Sequence, residues 1–284
     1  MTAEPGRPTA GSDDHPTTGP DEVTAGIRAF YDDLAPTYDR IFADWAASSR
    51  RQGEVLTGLL AAALGSGPLR VLDAACGIGT QLLGLARCGH TVCGSDLSPG
   101  AAREAALRAS AAQAAGLSGR VAGLVVADLR ALPFAAGGFD AVVCADNSLP
   151  HLLTADGVTA ALGELRRVVR AGGAAVVTTR DYDALAAERP AASGPQVSVD
   201  ADGQKVVTVQ LWDWSTDGPC YRLTHLQSAQ DGTGGWTTRS RTTVYRAWQR
   251  AELTGHAAAA GWRRSRWLTP QESGWYQPLL LART

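Results

Sequence analysis

An α/β fold is what this sequence of 284 residues predicts: a doubly wound seven-stranded sheet, preceded by helices and interrupted late by an antiparallel insertion. Three observations predict it. Short apolar runs alternate with helical stretches from Arg70 onward, each of the first five runs ends on a polar residue, and a glycine turn follows the first.

Composition narrows the function first. With 45% hydrophobic and 19% charged residues the chain can bury a full core, and 26 basic against 28 acidic residues leave a formal charge of -2. That balance gives no field for nucleic acid or an anionic membrane. Five scattered cysteines with no CxxC pair, and no secretory leader, lead us to expect a cytoplasmic protein. No apolar run approaches the length of a membrane span.

Taken in order, residues 1–22 are rich in Pro, Gly, Thr and Asp and are expected to form a disordered tail. Residues 23–68 read as N-terminal helices. Phe30, Tyr31, Leu34 and Tyr38 keep helical spacing, and Pro36 should end the first helix near Leu34. A second helix, about 48–64, places Val55, Leu56, Leu59, Leu60 and Ala63 on one face. The core, 69–183, has strands at 70–74, 91–95, 124–127, 141–145 and 174–179. Its last helix carries Val158, Ala161, Leu162, Leu165 and Val168, with Ala171-Gly172-Gly173 as the expected stop. An insertion, 184–247, has β-rich runs at 206–214, 221–229 and 236–247 and is expected to be the substrate lid. A helix at 249–260 and strands at 262–268 and 275–281 return the chain to the core.

In Rossmann-like sheets, ligands sit outside the carboxyl ends of the strands. Those ends carry Asp73, Asp96, Asp128, Asp146-Asn147 and Arg180-Asp181-Tyr182-Asp183. In the turn after the first strand, VLDAACGIGTQL, the third glycine of a dinucleotide fingerprint is replaced by Leu82. Gly77 and Gly79 still admit a ligand to the backbone at the start of a helix. Asp73 would repel a pyrophosphate but attract an ammonium group. Asp96 suits both hydroxyls of a ribose, and Asp128 the exocyclic amine of adenine. Ribose, adenine, a cation and no phosphate describe S-adenosylmethionine.

With this turn, DNSLPHL at 146–152 and TRDYD at 179–183, the sequence resembles the class I S-adenosylmethionine-dependent methyltransferases. The resemblance covers about 65–183 and, more loosely, the last two strands, and it is greatest to the glycine N-methyltransferase branch and its bacterial relatives. It implies cofactor contacts from Asp73, Ala75, Gly77, Gly79, Asp96, Leu97, Asp128, Leu129 and Asp146, with Tyr38 near them and Arg51 or Arg50 on the cofactor carboxylate. It places Asn147 beside the methionine end and the substrate, and Arg180 on a substrate carboxylate. Asp181 and Ile78 depart from the branch, which more often has Asn and Thr there. The insertion carries no matching pattern, so glycine itself is not implied.

A sulfonium methyl is already activated, so the protein mainly holds the acceptor lone pair in line at roughly 3 to 3.5 Å. No metal is expected. The expected acceptor is a small amine bearing a carboxylate, with transfer to oxygen or carbon of a specialised metabolite as the alternative. Either solvent takes the amine proton beforehand or a neighbour such as His151 or Asp146 does, and Tyr31 and Tyr38 would close over the site. Blander readings stand beside these: Arg180 paired with Asp181 or Asp183, His151 capping the next helix, and Trp212, Trp214, Tyr221 and Trp236 as core. Trp262-Arg263-Arg264-Ser265-Arg266-Trp267 resembles a nucleic-acid patch, but strand alternation disperses its charge. The expected partner is a small molecule, with no nucleic acid and no membrane; a homo-oligomer is left open.

Overall fold

The computed structural model describes residues 19–200 and 202–284. Residues 1–18 of the expected tail lie outside the described residues, and its last residues are already helical. Helix α1 (Pro20–Leu34) opens with a proline and two acids, Asp21 and Glu22, all suited to a helix N-terminus. A 3₁₀ segment, Ala35–Ile41, then leads to α2 (Trp45–Leu64), whose start is capped by Asp44 accepting from the Ala47 amide.

The core follows as β1 (Arg70–Ala74), α3 (Thr80–Arg87), β2 (Thr91–Asp96), α4 (Pro99–Ala114), β3 (Arg120–Val126), β4 (Phe139–Cys144), α5 (Ala155–Val168) and β5 (Val169–Thr178). After α6 (Tyr182–Glu188) come β6 (Gln196–Val199), β7 (Lys205–Trp214), β8 (Cys220–Gln230) and β9 (Trp236–Arg246). The chain closes with α7 (Arg250–Ala259), β10 (Arg264–Leu268), α8 (Pro270–Ser273) and β11 (Leu279–Arg283).

Seven strands form one sheet in the order β10-β11-β5-β4-β1-β2-β3, with β11 antiparallel to both neighbours. The order reverses between β1 and β4, so the β1 turn opens at the switch point where ligands bind. Leu56, Leu60, Leu82 and Leu85 pack on one face of the sheet, and Val158, Leu162, Leu165, Trp248 and Leu253 on the other. Helix α2 crosses α3 with almost no space between backbones. A Cβ on Gly53 would fall 2.2 Å from the Gly84 carbonyl carbon, so only glycine admits this approach.

The remaining four strands form a separate antiparallel sheet, β6-β7-β8-β9. Its first strand escapes the sequence pattern because Val197 and Val199 face solvent on a short edge. The expected glycine stop also needs correcting. Helix α5 ends at Val168, and Val169 already pairs with Phe139, so Ala171-Gly172-Gly173 lies inside β5. Among the described residues, no helix is long and apolar enough to cross a membrane.

Candidate active site

Two cavities open beyond the carboxyl ends of the strands, one of about 380 Å³ and one of about 450 Å³. Tyr31, Tyr38 and Asp146 line both.

The first is built around the glycine turn. Ala75, Gly77 and Gly79 all have positive φ, at 62°, 55° and 91°, and Ala75 and Gly77 line the cavity. A Cβ on Gly77 would meet nothing within 4 Å, so the turn leaves its backbone open to a ligand. The Gly77 amide donates to Asp96 Oδ2 at 2.8 Å, and the Ser98 amide to Asp96 Oδ1 at 2.9 Å. Burial raises the Asp96 carboxyl, and these amides oppose the rise. Leu97 and Leu129 supply apolar walls.

Asp128 also lines this cavity, but Arg130 already holds it. The guanidinium donates to both Asp128 oxygens, at 2.5 to 3.1 Å, and to Thr24 on α1. Burial would raise the Asp128 carboxyl; the bonds from Arg130 outweigh burial and hold it low. Asp73 is placed differently from the sequence expectation. It lies fully buried beneath the turn rather than on the cavity wall, and neither of its oxygens has a well-formed hydrogen bond. Burial pushes its carboxyl up to about 8, with the Leu82 amide opposing the rise. At that value the ligand-free carboxyl is mostly protonated at pH 7, and a cation in the cavity would act on it through its field, favouring the ionised form, rather than by contact.

Asp146 and Asn147 sit just beyond β4 with φ of 56° and 70°. Strain of this kind in two consecutive non-glycine residues is characteristic of ligand sites. Asp146 accepts from Gln81 Nε2 at 2.7 Å and from the Tyr276 hydroxyl. Burial raises its carboxyl despite both bonds. Asn147 Oδ1 accepts from the Arg180 amide at 3.1 Å, while its Nδ2, near Tyr182, is buried with no well-formed hydrogen bond.

The second cavity centres on Arg180. Its guanidinium donates to the Tyr221 hydroxyl at 2.9 Å and to Gln210 Oε1 at 2.8 Å. It lies 4.7 Å from the Trp212 ring centroid and 5.6 Å from that of Tyr245. Asp181 and Asp183 do not neutralise it. Both turn to Arg250, and no carboxylate among the described residues pairs with Arg180. Trp212 and Tyr221 therefore serve as both core and cage, whereas Trp236 is exposed. Arg51 reaches this second cavity, not the first.

His151 stands where the cavities meet. Its Nε2 hydrogen-bonds the Tyr31 hydroxyl at 2.8 Å, and its ring packs 4.1 Å from that of Tyr245. It does not cap the next helix; Thr154 does that. Burial drives its pKa down to about 3, with the Val244 backbone opposing and Arg180 adding to the fall. The imidazole is therefore neutral and weakly basic at pH 7, which argues against the expected role as proton acceptor.

Four contributors escape the sequence pattern: Gln81, Gln210, Tyr245 and Tyr276. Gln81 carries a signal, since it sits at the start of the helix after the glycine turn. The other three reach the site through strand register and a late loop. Trp262 is buried, donating to the Leu162 carbonyl at 3.0 Å, and β10 begins only at Arg264, so Arg263 lies outside the strand whose alternation is expected to disperse the charge. Among the described residues no group of His, Cys, Asp or Glu could hold a metal.

The first cavity has the chemistry for a nucleoside bearing a cation. Asp96, Asp128 and Asp146 line it with a single arginine, itself paired. A pyrophosphate would be repelled.

Comparison with known proteins agrees. Residues 71–173 match the family model described as a methyltransferase domain. An uncharacterized protein of Mycobacterium tuberculosis is 36% identical over 143 residues, covering 49% of this chain and 48% of that protein. Human glycine N-methyltransferase is 31% identical over 169 residues, 57% of each chain. The chain thus spans about half the length of the curated relatives it matches. Among solved structures, Streptomyces venezuelae DesVI superposes with a TM-score of 0.66 at 23% identity, covering 91% of this chain and 96% of that one. An amino pentose methyltransferase from Micromonospora echinaspora, solved with S-adenosylmethionine bound, gives 0.64 at 21% identity, covering 87% and 94%. These likenesses show a shared fold.

Proposed function

We propose that this chain, whose core is a class I S-adenosylmethionine-dependent methyltransferase domain, methylates the nitrogen of a small amine that carries a carboxylate. One observation carries the reading: Arg180 is a cation held in an aromatic cage with no anion of its own, in a cavity that meets the cofactor cavity. A carboxylate would complete it through a charge-assisted pair.

S-adenosylmethionine, when bound, supplies a methyl group already activated on sulfur. Asp96 would hold the ribose hydroxyls, Leu97 and Leu129 the adenine faces, and the Ala75–Gly79 turn the methionine backbone. Because Arg130 occupies both Asp128 oxygens, Asp128 would meet the adenine amine only through a remaining lone pair. Arg51 stays a candidate for the cofactor carboxylate, reached across the junction where Tyr38 lies.

The protein's own work is orientation. Arg180 fixes one end of the acceptor, and Asn147 Nδ2, buried beside Tyr182 without a well-formed hydrogen bond, would bond the other. Tyr31, Tyr38 and His151 exclude water at the junction. His151 is too weak a base, and Asp146 is already held by Gln81 and Tyr276, so an amine would arrive neutral, its proton lost to solvent. Labelled methyl transfer to carboxylate-bearing amines, with and without Arg180→Ala, tests this; an unchanged KM in the variant would remove the carboxylate from the proposal.

Transfer to oxygen or carbon of a specialised metabolite is a second reading; it would need the Tyr31–His151 hydrogen bond to pass a hydroxyl proton onward rather than hold it on the weakly basic imidazole. A hydroxyl acceptor needs such a relay. A bell-shaped pH profile abolished by His151→Asn would select it.

A further inference from the structure

The second cavity holds a polar row that the methyl transfer itself does not use. On the inner face of the small sheet, strand register sets Gln210, His225 and Arg241 side by side across β7, β8 and β9. Gln210 is tied to Arg180. At the other end Arg241, almost fully buried, binds Asp33 on α1. His225 lies between them, 3% exposed, and lines the cavity together with Gln210. Its Nε2 is buried and has no hydrogen-bond partner. Burial, with the Arg241 charge adding, pushes the ring down to about 4, so it is neutral at pH 7. A neutral imidazole donates at one nitrogen and accepts at the other, which matches a hydroxyl.

We infer that His225, with Gln210 beside it, determines acceptor specificity by reading a hydroxyl on the acceptor, which is therefore larger than glycine. The inference rests on the reading of this cavity as the acceptor site. Directly opposed residues on a sheet lie about 5 Å apart at Cβ. A group anchored on Arg180, which Gln210 holds, thus has its next substituent within reach of His225. A buried nitrogen left unpaired is unfavourable, and an acceptor hydroxyl would relieve it where a methyl group would not.

The test measures labelled methyl transfer to glycine, to L-serine against its methyl isostere L-α-aminobutyrate, and to L-homoserine against L-norvaline. The wild type should prefer the hydroxylated member of at least one pair by about tenfold in kcat/KM. His225→Leu should bring that ratio to within about twofold of one, leaving S-adenosylhomocysteine affinity, which belongs to the other cavity, unchanged. His225→Asn should keep part of the preference, and it carries the test if the leucine variant does not fold. A ratio untouched by His225→Leu, or a wild type that favours the apolar member of both pairs, overturns the inference. If no amino acid is methylated, the carboxylate reading has failed on its own. Glucosamine against its deoxy analogue quinovosamine then decides: a preference lost in His225→Leu supports the role of His225, and a preference absent or retained overturns it.

Discussion

The two cavities share Asp146, Tyr31 and Tyr38 but are built in opposite ways. The first draws its polar wall from strand ends and the turn after β1, and it is acidic, lined by Asp96, Asp128 and Asp146. The second draws its wall from α1, α2, the end of β5, the strands of the small sheet and the loop before β11, and it holds an unneutralised Arg180. A site whose polar groups sit at strand ends has them fixed by the sheet, with α1 adding only cover, and serves one cofactor. A site assembled from distant elements can change its acceptor while the sheet stays the same.

The largest way to separate the two is Arg180→Ala. Loss of a buried charged pair costs about 2 to 5 kcal/mol, so kcat/KM for a carboxylate-bearing amine should fall by roughly thirtyfold to several thousandfold. S-adenosylmethionine affinity should stay within about twofold; an equal loss in both would mean the cavities are not independent. Next is Asp96→Ala, which removes the acceptor for the Gly77 and Ser98 amides as well as for a ribose. Calorimetry should show cofactor affinity weaker by about 1 to 2 kcal/mol, and an unchanged affinity would mean the ribose lies elsewhere. Smaller again is Tyr31→Phe, which deletes the hydroxyl bonding His151 and Tyr245. A loss of about 1 kcal/mol is expected, and because Tyr31 lines both cavities it should divide between cofactor affinity and acceptor kcat/KM. A loss confined to one side would move Tyr31 out of the junction.

The fourth prediction is a slope rather than a loss. With Asp73 raised to about 8, the native state binds this proton more tightly than the unfolded chain, whose ordinary value is 3.8. Stability of the cofactor-free protein attributable to Asp73 is therefore full below about pH 4 and declines as pH rises toward about 8. Asp73→Asn should remove that decline, so its melting temperature gains on the wild type across this window. A constant difference would show that Asp73 ionises normally.

What is legible in the sequence follows the same division. The apolar periods of β1 to β5 locate the strand ends, so periodicity alone puts Asp96, Asp128 and Asp146 at the ligand edge of the sheet, and Leu82 and Asp73 exclude a pyrophosphate. The fate of each charge is harder to read. Asp128 is occupied by an arginine only two residues on, a pairing the local sequence holds but strand logic does not consider. Whether Asp181 and Asp183 neutralise Arg180 depends on Arg250, far along the chain on α7. Tyr245 and Gln210 face Arg180 only through the register of the small sheet, which alternation alone does not set.

The most direct measurement is labelled methyl transfer from S-adenosylmethionine to a panel of amino acids, simple amines, phenols and carboxylic acids, with Arg180→Ala run beside the wild type. The expected result is transfer to a carboxylate-bearing amine that collapses in the variant while cofactor binding persists. Transfer confined to a phenol, an enol or a carboxylic acid, or transfer to the amine that Arg180→Ala leaves intact, would contradict the role given to Arg180.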